Sequence, residues 1–290
     1  MMPLLVLLTA LGFGAGDFLA GLASKKVSAL TVSLYSQGVA LGLAALAVIF
    51  LGGAPNPAAV GWGLAAGIAV GLGIVRYYHG LTHGAMGWVA TVMGAFSALV
   101  PLVIGTALGE RPSLLAIAGV LGIVVALFMT IRRSGSGIRR ISGIDATSPG
   151  KPQRPVTGIA DGVVAGTCFG FSFVFLGLAS VGGPLWPVLM TLAGSIPPIL
   201  FIRFRNGNCH VEAKGVWLLI TAVGVCQGLA LFAFVVAVTD GYVSIVSVAG
   251  ALSPVATSLL AFAVLCERLT RRQVVAVGIA IAGIICLIPA

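Results

Sequence analysis

The sequence predicts an all-α membrane protein: ten transmembrane helices folded as two inverted five-helix repeats. Three observations carry that expectation. Hydrophobic residues fill 59% of 290 positions, charged residues only 8%, and mean hydropathy is +1.15. A soluble domain carries roughly a quarter charged residues, so the solvent here is lipid. Next, the apolar runs are about 20 residues long and lack period-two alternation, which suits spanning helices and not barrel strands. Finally, the second half echoes the first about 157 residues later, the mark of a fold built from two structural repeats. Phe13-Gly14 returns as Phe169-Gly170, and Gly21-Leu22-Ala23-Ser24 as Gly177-Leu178-Ala179-Ser180. Gly67 and Gly71 return as Gly224 and Gly228, Thr82 and Gly84 as Thr239 and Gly241, and Glu110-Arg111-x-Ser113 as Glu267-Arg268-x-Thr270.

Cutting at charges, prolines and glycine clusters sets the helices in order. Helices 1 to 5 fall at 3–23, 28–51, 58–79, 85–108 and 112–131; helices 6 to 10 at 157–180, 184–204, 214–237, 242–265 and 270–288. Helix 1 lacks a basic leader and stays apolar to Ala23, so it reads as a retained span and not a signal peptide. Residues 1–131 form the first repeat and 157–290 the second. Between them, 132–156 carry Arg132, Arg133, Arg139, Arg140, Lys151 and Arg154 among Ser, Gly and Pro, a solvated linker.

Charge sets the topology. Lys25 and Lys26 follow helix 1, Arg76 closes helix 3, and the linker follows helix 5. Arg203, Arg205 and Lys214 lie between helices 7 and 8; Arg268, Arg271 and Arg272 between 9 and 10. All fall on one side of a ten-helix serpentine, while the other side holds only Arg111. The positive-inside rule puts the charged side in the cytoplasm and both termini outside. The net charge of +9 therefore needs no nucleic-acid partner; anionic lipid meets it. Five scattered cysteines with no CxxC or Cys/His spacing give no metal site, and no cofactor is expected.

Helices 4 and 9 each run through an Ala/Ser/Gly/Val stretch with a mid-span proline. They reach Gly109-Glu110-Arg111-Pro112 or Cys266-Glu267-Arg268-Leu269, and another apolar helix follows. With Gly12-Phe13-Gly14-Ala15-Gly16-Asp17-Phe18 in helix 1, this resembles the EamA repeat of the drug/metabolite transporter superfamily, in two copies over nearly the whole chain. The resemblance implies alternating access around a cavity lined by helices 1, 3, 4, 6, 8 and 9, in a bacterial inner membrane. Phe13 stands where the family usually has Trp. Pro254 keeps the usual thirteen-residue spacing to Glu267, but the first half has Ser97 there and its proline, Pro101, one turn on.

Asp17 is the sharpest candidate for chemistry. It is a carboxylate inside helix 1, its repeat partner is Phe173, and intramembrane acids usually face a cavity or a partner. Arg76, Tyr77, Tyr78 and His79 approach from helix 3, where an Asp17–Arg76 ion pair is physically reasonable, as is a pH-sensitive one through His79, while Tyr and Arg also suit an interfacial belt. His83 reads as a loop residue. Thr91, Gly94, Ser97 and Pro101 share a face of helix 4, as Ser247, Gly250, Pro254 and Ser258 do on helix 9. Small residues so spaced mainly allow tight packing, yet the prolines Pro101 and Pro254 free carbonyls and Gln227 adds a polar head in helix 8. Thr91, Ser97, Gln227 and Ser247 are therefore candidates for a modestly polar chamber. Glu110 and Glu267 read as structural caps of the helices that follow them, with Thr270 and Gln273 as a capping box.

These features point to a secondary transporter exporting a small metabolite or amino acid, with protons as the coupling ion through Asp17 and either a monomer or an undefined oligomer as its unit. An uptake permease of the same fold is the alternative. An intramembrane enzyme would need a nucleophile with its base or a metal cluster, and no HExxH or GxSxG is present. A non-transporting scaffold leaves the repeat without a purpose. The orientation is testable in a variant lacking its own cysteines: an impermeant thiol reagent added outside intact cells should leave new cysteines at 132–156 unlabelled. Labelling from outside would reverse the topology.

Overall fold

The computed structural model describes residues 2–83, 86–111, 113–129, 155–205, 215–240, 252–265 and single positions between 243 and 282. Among them the fold is all helix. The helices are α1 (Met2–Ala23), α2 (Ala29–Leu51), α3 (Pro57–His83), α4 (Met86–Ala107), α5 (Leu114–Met129), α6 (Pro155–Ala179), α7 (Leu185–Arg205), α8 (Trp217–Asp240) and α9 (Ser253–Leu265). Seven of them, α1 to α4 and α6 to α8, are long and apolar enough to cross a membrane. The predicted helices 1 to 8 coincide with α1 to α8 to within a few residues, and α9 is the second part of predicted helix 9. Linker residues 132–154, Glu267, Thr270 and most of helix 10 lie outside the described residues.

Local chemistry explains the boundaries. The Ser28 hydroxyl accepts the Thr31 N–H and opens α2, while Gly52, at φ 75°, closes it in a conformation that β-carbon sterics deny most residues. Leu, Ile, Phe and Val side chains such as Ile49, Phe50, Val103, Phe201 and Leu218 cover the outside, as lipid requires. Inside, small residues predominate: Ala23, Ala66, Ala98, Ala165, Ala179 and Ala237 are fully buried.

The helices pack chiefly across the two halves of the chain. α1 lies on α8 and α9, α3 on α6 and α7, α2 on α7 and α8, and α4 on α6. Exchanging each helix for the one five places along maps this set of contacts onto itself. The repeated glycines sit at equivalent crossings. A β-carbon at Gly67 would collide with the Thr191 carbonyl, and one at Gly71 would meet the Ser195 carbonyl at 2.6 Å, on α7. Gly224, the partner of Gly67, packs on α2 in the same way: a β-carbon there would stand 2.6 Å from the Ser36 carbonyl. α3 and α6 run antiparallel, since Gly73 meets Cys168 and Gly80 meets Asp161. α1 and α8 do likewise, Gly12 meeting Ala230 and Gly16 meeting Gln227.

Polar ties at the ends also cross between halves. Asn56 Nδ2 donates to the Val181 carbonyl (3.2 Å) and Trp186 Nε1 to that of Gly53 (3.0 Å), joining the α2–α3 and α6–α7 turns. At the opposite end Arg203 is buried: its Nη1 donates to Thr31 Oγ1 at 2.6 Å, and its guanidinium stands 5.6 Å from the Tyr35 ring centre. The expectation that Arg203 is a solvated loop cation is corrected accordingly. It clamps the end of α7 to the start of α2.

Glycine packing has a direct test within α3. Gly67→Ala should cost about 1–3 kcal/mol, because backbone and not a flexible side chain blocks the new methyl. Gly61→Ala, with open space around it, should be neutral or stabilising by up to about 1 kcal/mol. Melting of the two variants in detergent separates these outcomes.

Candidate functional site

The faces of α1 are already assigned by its neighbours. Leu4, Leu7, Leu8 and Leu11 are exposed to lipid. Gly12 and Gly16 meet α8, and Gly14 meets α9. At about 100° per residue this leaves Phe13 and Asp17, one turn apart, facing inward between α8 and α9. Asp17 keeps an open face there, although side chains of other helices surround it.

Polar groups of α3 and α9 lie near this carboxylate, and polar residues of α2 and α8 adjoin them. The Ser253 hydroxyl, at the start of α9, is its hydrogen-bonding neighbour. Tyr77 and Tyr78 of α3 both lie within electrostatic reach of Asp17, their ring centres 5.7 Å apart. Tyr78 is held in turn by Ser33 of α2, whose hydroxyl donates to the phenol oxygen at 3.3 Å. Gln227 of α8 packs against Gly16, beside Asp17. Gln37 follows Ser33 by one turn on the same face of α2; it is 7% exposed, and its Oε1 has no hydrogen-bond partner. Ser33, Gln37 and Ser253 were not legible as candidates, because lone polar residues in apolar helices gave no spacing to read.

Arg76 does not pair with Asp17. Its Nη1 lies 3.5 Å from Oδ1 of Asp161 on α6, and His79 Nδ1 lies 2.8 Å from Oδ2 of the same carboxylate. The reason is helical phase: at about 100° per residue Arg76 and Tyr77 lie on opposite flanks of the Gly73/Gly80 face that meets α6, and Arg76 and His79 share the exposed flank. Tyr77 and Tyr78 are half-buried on the other flank. Sequence reading missed Asp161, although the argument applied to Asp17 holds equally for an acid near the start of an apolar span.

The remaining candidates lie elsewhere in the fold. Ser97 is buried and its hydroxyl donates to the Gly94 carbonyl of its own helix at 2.8 Å. Thr91 and Ser247 are also buried. Pro101 lies inside the unbroken α4 next to Val100, which with Phe96 meets Gly170 of α6; Pro254 lies in the first turn of α9. Glu110 Oε1 accepts the backbone N–H of Val243 at 2.8 Å, so it binds a backbone group of the other half, at the expected start of helix 9.

Comparison with known proteins agrees with this architecture. Residues 156–288 match the EamA-like transporter family. This half of the chain is thus similar to an EamA-like repeat. The family falls within the drug/metabolite transporter superfamily. A protein of known crystal structure aligns over 97% of this chain and 96% of its own, with TM-score 0.74 at 15% identity, a likeness of fold. No curated protein matches the sequence.

Repeat positions expose an asymmetry between the EamA-like half and its counterpart. Phe173 and Phe234 occupy the positions of Asp17 and Tyr77. Their rings pack with centres 4.8 Å apart, and Phe173 fills the space over Gly250. One half thus places an Asp–Tyr pair where the other places two phenylalanines. The positions of Arg76, His79 and Asp161 are likewise apolar in the repeat: Ala233, Val236 and Leu5.

The Asp161 cluster separates into a strong and a weak contact. Both cation side chains are about half exposed, 53% for His79 and 56% for Arg76, but His79 at 2.8 Å makes a close hydrogen bond and Arg76 at 3.5 Å only a loose contact. Double-mutant cycles in alanine variants should give a coupling of about 1–3 kcal/mol for His79–Asp161 and below about 1 kcal/mol for Arg76–Asp161. Thermal melts in detergent supply the four corners of each cycle.

Proposed function

We propose that this protein is a secondary transporter that moves a small metabolite or amino acid across the plasma membrane by alternating access. It works as ten helices in two inverted five-helix halves, with the linker in the cytoplasm and both termini outside. Exchange-symmetric packing supports the two-half reading, as does the opposite direction of α3 against α6 and of α1 against α8. The EamA-like second half supports transport.

The observation that carries the proposal is Asp17 on the inward face of α1, set against Phe173 at the same point of the repeat. A scaffold gains nothing from a carboxylate there, which costs on the order of 2.5–3.5 kcal/mol on insertion scales. A transporter gains a charge that rocking halves present to each side in turn. Export coupled to protons through this carboxylate is the mechanism we favour. An uptake permease of the same fold would use the same residues in the reverse direction, and flux in oriented vesicles decides between them.

Asp17→Asn should fold and melt like the parent or slightly higher, since an intramembrane charge is removed. Its transport should fall at least about tenfold or lose its pH dependence, by analogy with the loss of an essential charge-assisted contact. Metabolite profiles of cells with and without the gene supply the substrate to assay in proteoliposomes. A folded Asn variant with normal flux and an unchanged pH profile would remove Asp17 from the mechanism.

A further inference from the structure

Cations gather where α1 and α7 end and α2 and α8 begin, around the small core of Ala23, Val32, Val216 and Ile220. Lys25, Lys26 and Arg205 are exposed there, as cations at helix ends usually are. Arg203 differs. It is buried, yet both ion pairs made between described residues belong to Asp161 on α6, and Arg203 joins neither.

A guanidinium offers several N–H donors in a planar fork. One edge of Arg203 is occupied, since Nη1 donates to Thr31 Oγ1 at 2.6 Å. Its face is held by Tyr35, whose ring centre lies 5.6 Å away. Tyr35 in turn meets Trp217 edge-on at 5.1 Å, and Trp217, the first residue of α8, is half-exposed. These contacts fix the guanidinium and leave its charge uncompensated. Among the described residues the fully enclosed side-chain atom without a hydrogen bond is Gln37 Oε1, so the other Arg203 N–H groups are not sealed inside and reach the surface.

A buried ion without a counter-charge is costly, and a clamp alone needs no charge, because a neutral amide could donate to Thr31 as well. The position says which anion is at hand. Phe201 and Phe204, either side of Arg203, are exposed to lipid, and Trp217 marks the level of the headgroups. Phosphates of lipid are the abundant anions at that level, and a guanidinium fork fits their oxygens in pairs where an ammonium cannot. Lys25, Lys26 and Arg205 add an attraction that favours a headgroup of net negative charge over a zwitterionic one.

We propose that Arg203, at the junction of α2, α7 and α8, anchors the headgroup of an anionic phospholipid, whose phosphate takes the free edge of the guanidinium. This site lies apart from Asp17 and holds whether or not the transport reading does.

The test uses the purified full-length protein in neutral detergent, titrated with phosphatidylglycerol, phosphatidylcholine or inorganic phosphate and followed by native mass spectrometry and thermal melting. Phosphatidylglycerol should bind at least about tenfold more tightly than phosphatidylcholine, and inorganic phosphate more weakly than either. Arg203→Gln keeps a donor for Thr31 and removes the charge, so it should abolish the preference for phosphatidylglycerol. Arg205→Gln, its exposed neighbour, should change that preference by less than about threefold. Should Arg203→Gln fail to fold, Tyr35→Leu keeps the charge and removes the ring that orients it, and should weaken phosphatidylglycerol about threefold or more. Equal affinity for the two lipids, no binding of either, a preference that survives in Arg203→Gln, or a larger loss in Arg205→Gln would overturn the assignment. Inorganic phosphate binding as tightly as phosphatidylglycerol would make this a small-anion site and refute the lipid.

Discussion

Close approach of helices from opposite halves is the constraint on which this structure depends. Lipid offers no hydrophobic drive for two apolar helices to associate, so cohesion must come from van der Waals contact and hydrogen bonds. Glycine supplies the first by letting backbones meet. Gly67 and Gly71 seat α3 on α7, Gly224 seats α8 on α2, and Gly162 and Gly166 seat α6 on α4. Once these crossings are made, the phase of every helix is settled. The glycine sides of α1 fix Asp17 inward, and the Gly73/Gly80 face of α3 sets Arg76 and Tyr77 on its two flanks.

Within that frame the two halves differ in chemistry more than in shape. The Phe173–Phe234 pair is the apolar form of a position that holds Asp17 and Tyr77 in the other half. Phe173 costs nothing in lipid and fills its space; Asp17 is expensive and leaves its space open. Charged pairing follows the same division, since Arg76, His79 and Asp161 have Ala233, Val236 and Leu5 as their counterparts. A symmetric scaffold thus carries a polar apparatus near one pair of helix ends only.

The positions of α1 to α8 were largely legible because long apolar runs and the charges between them have one reading in a membrane. Two helices needing a common glycine spacing could also be read, from Gly67-x-x-x-Gly71 and its repeat. What could not be read was phase. Asp17 and Arg76 seemed natural partners by depth alone, but Gly73 and Gly80 rotate Arg76 away onto Asp161. Arg203 looked like one more loop cation, and nothing in its neighbours announced that Thr31, 172 residues away, would bury it. Glu110 was read against the helix that follows it, whereas its carboxylate reaches Val243 across the chain. Each of these depends on a contact between halves, and a linear pattern carries no record of those.

The same preference for contacts between halves governs how the protein comes into being. α1 rests on α8 and α9, and α2 on α7 and α8, all of them made later than the helices they support. The first helices must therefore wait in the bilayer, inserted but loosely held, until their partners leave the ribosome. During that interval the glycine faces of α3 touch only lipid, and Asp17 lacks Ser253. Synthesis halted in the linker would strand a set of finished helices with nothing to close upon, a natural substrate for membrane quality control.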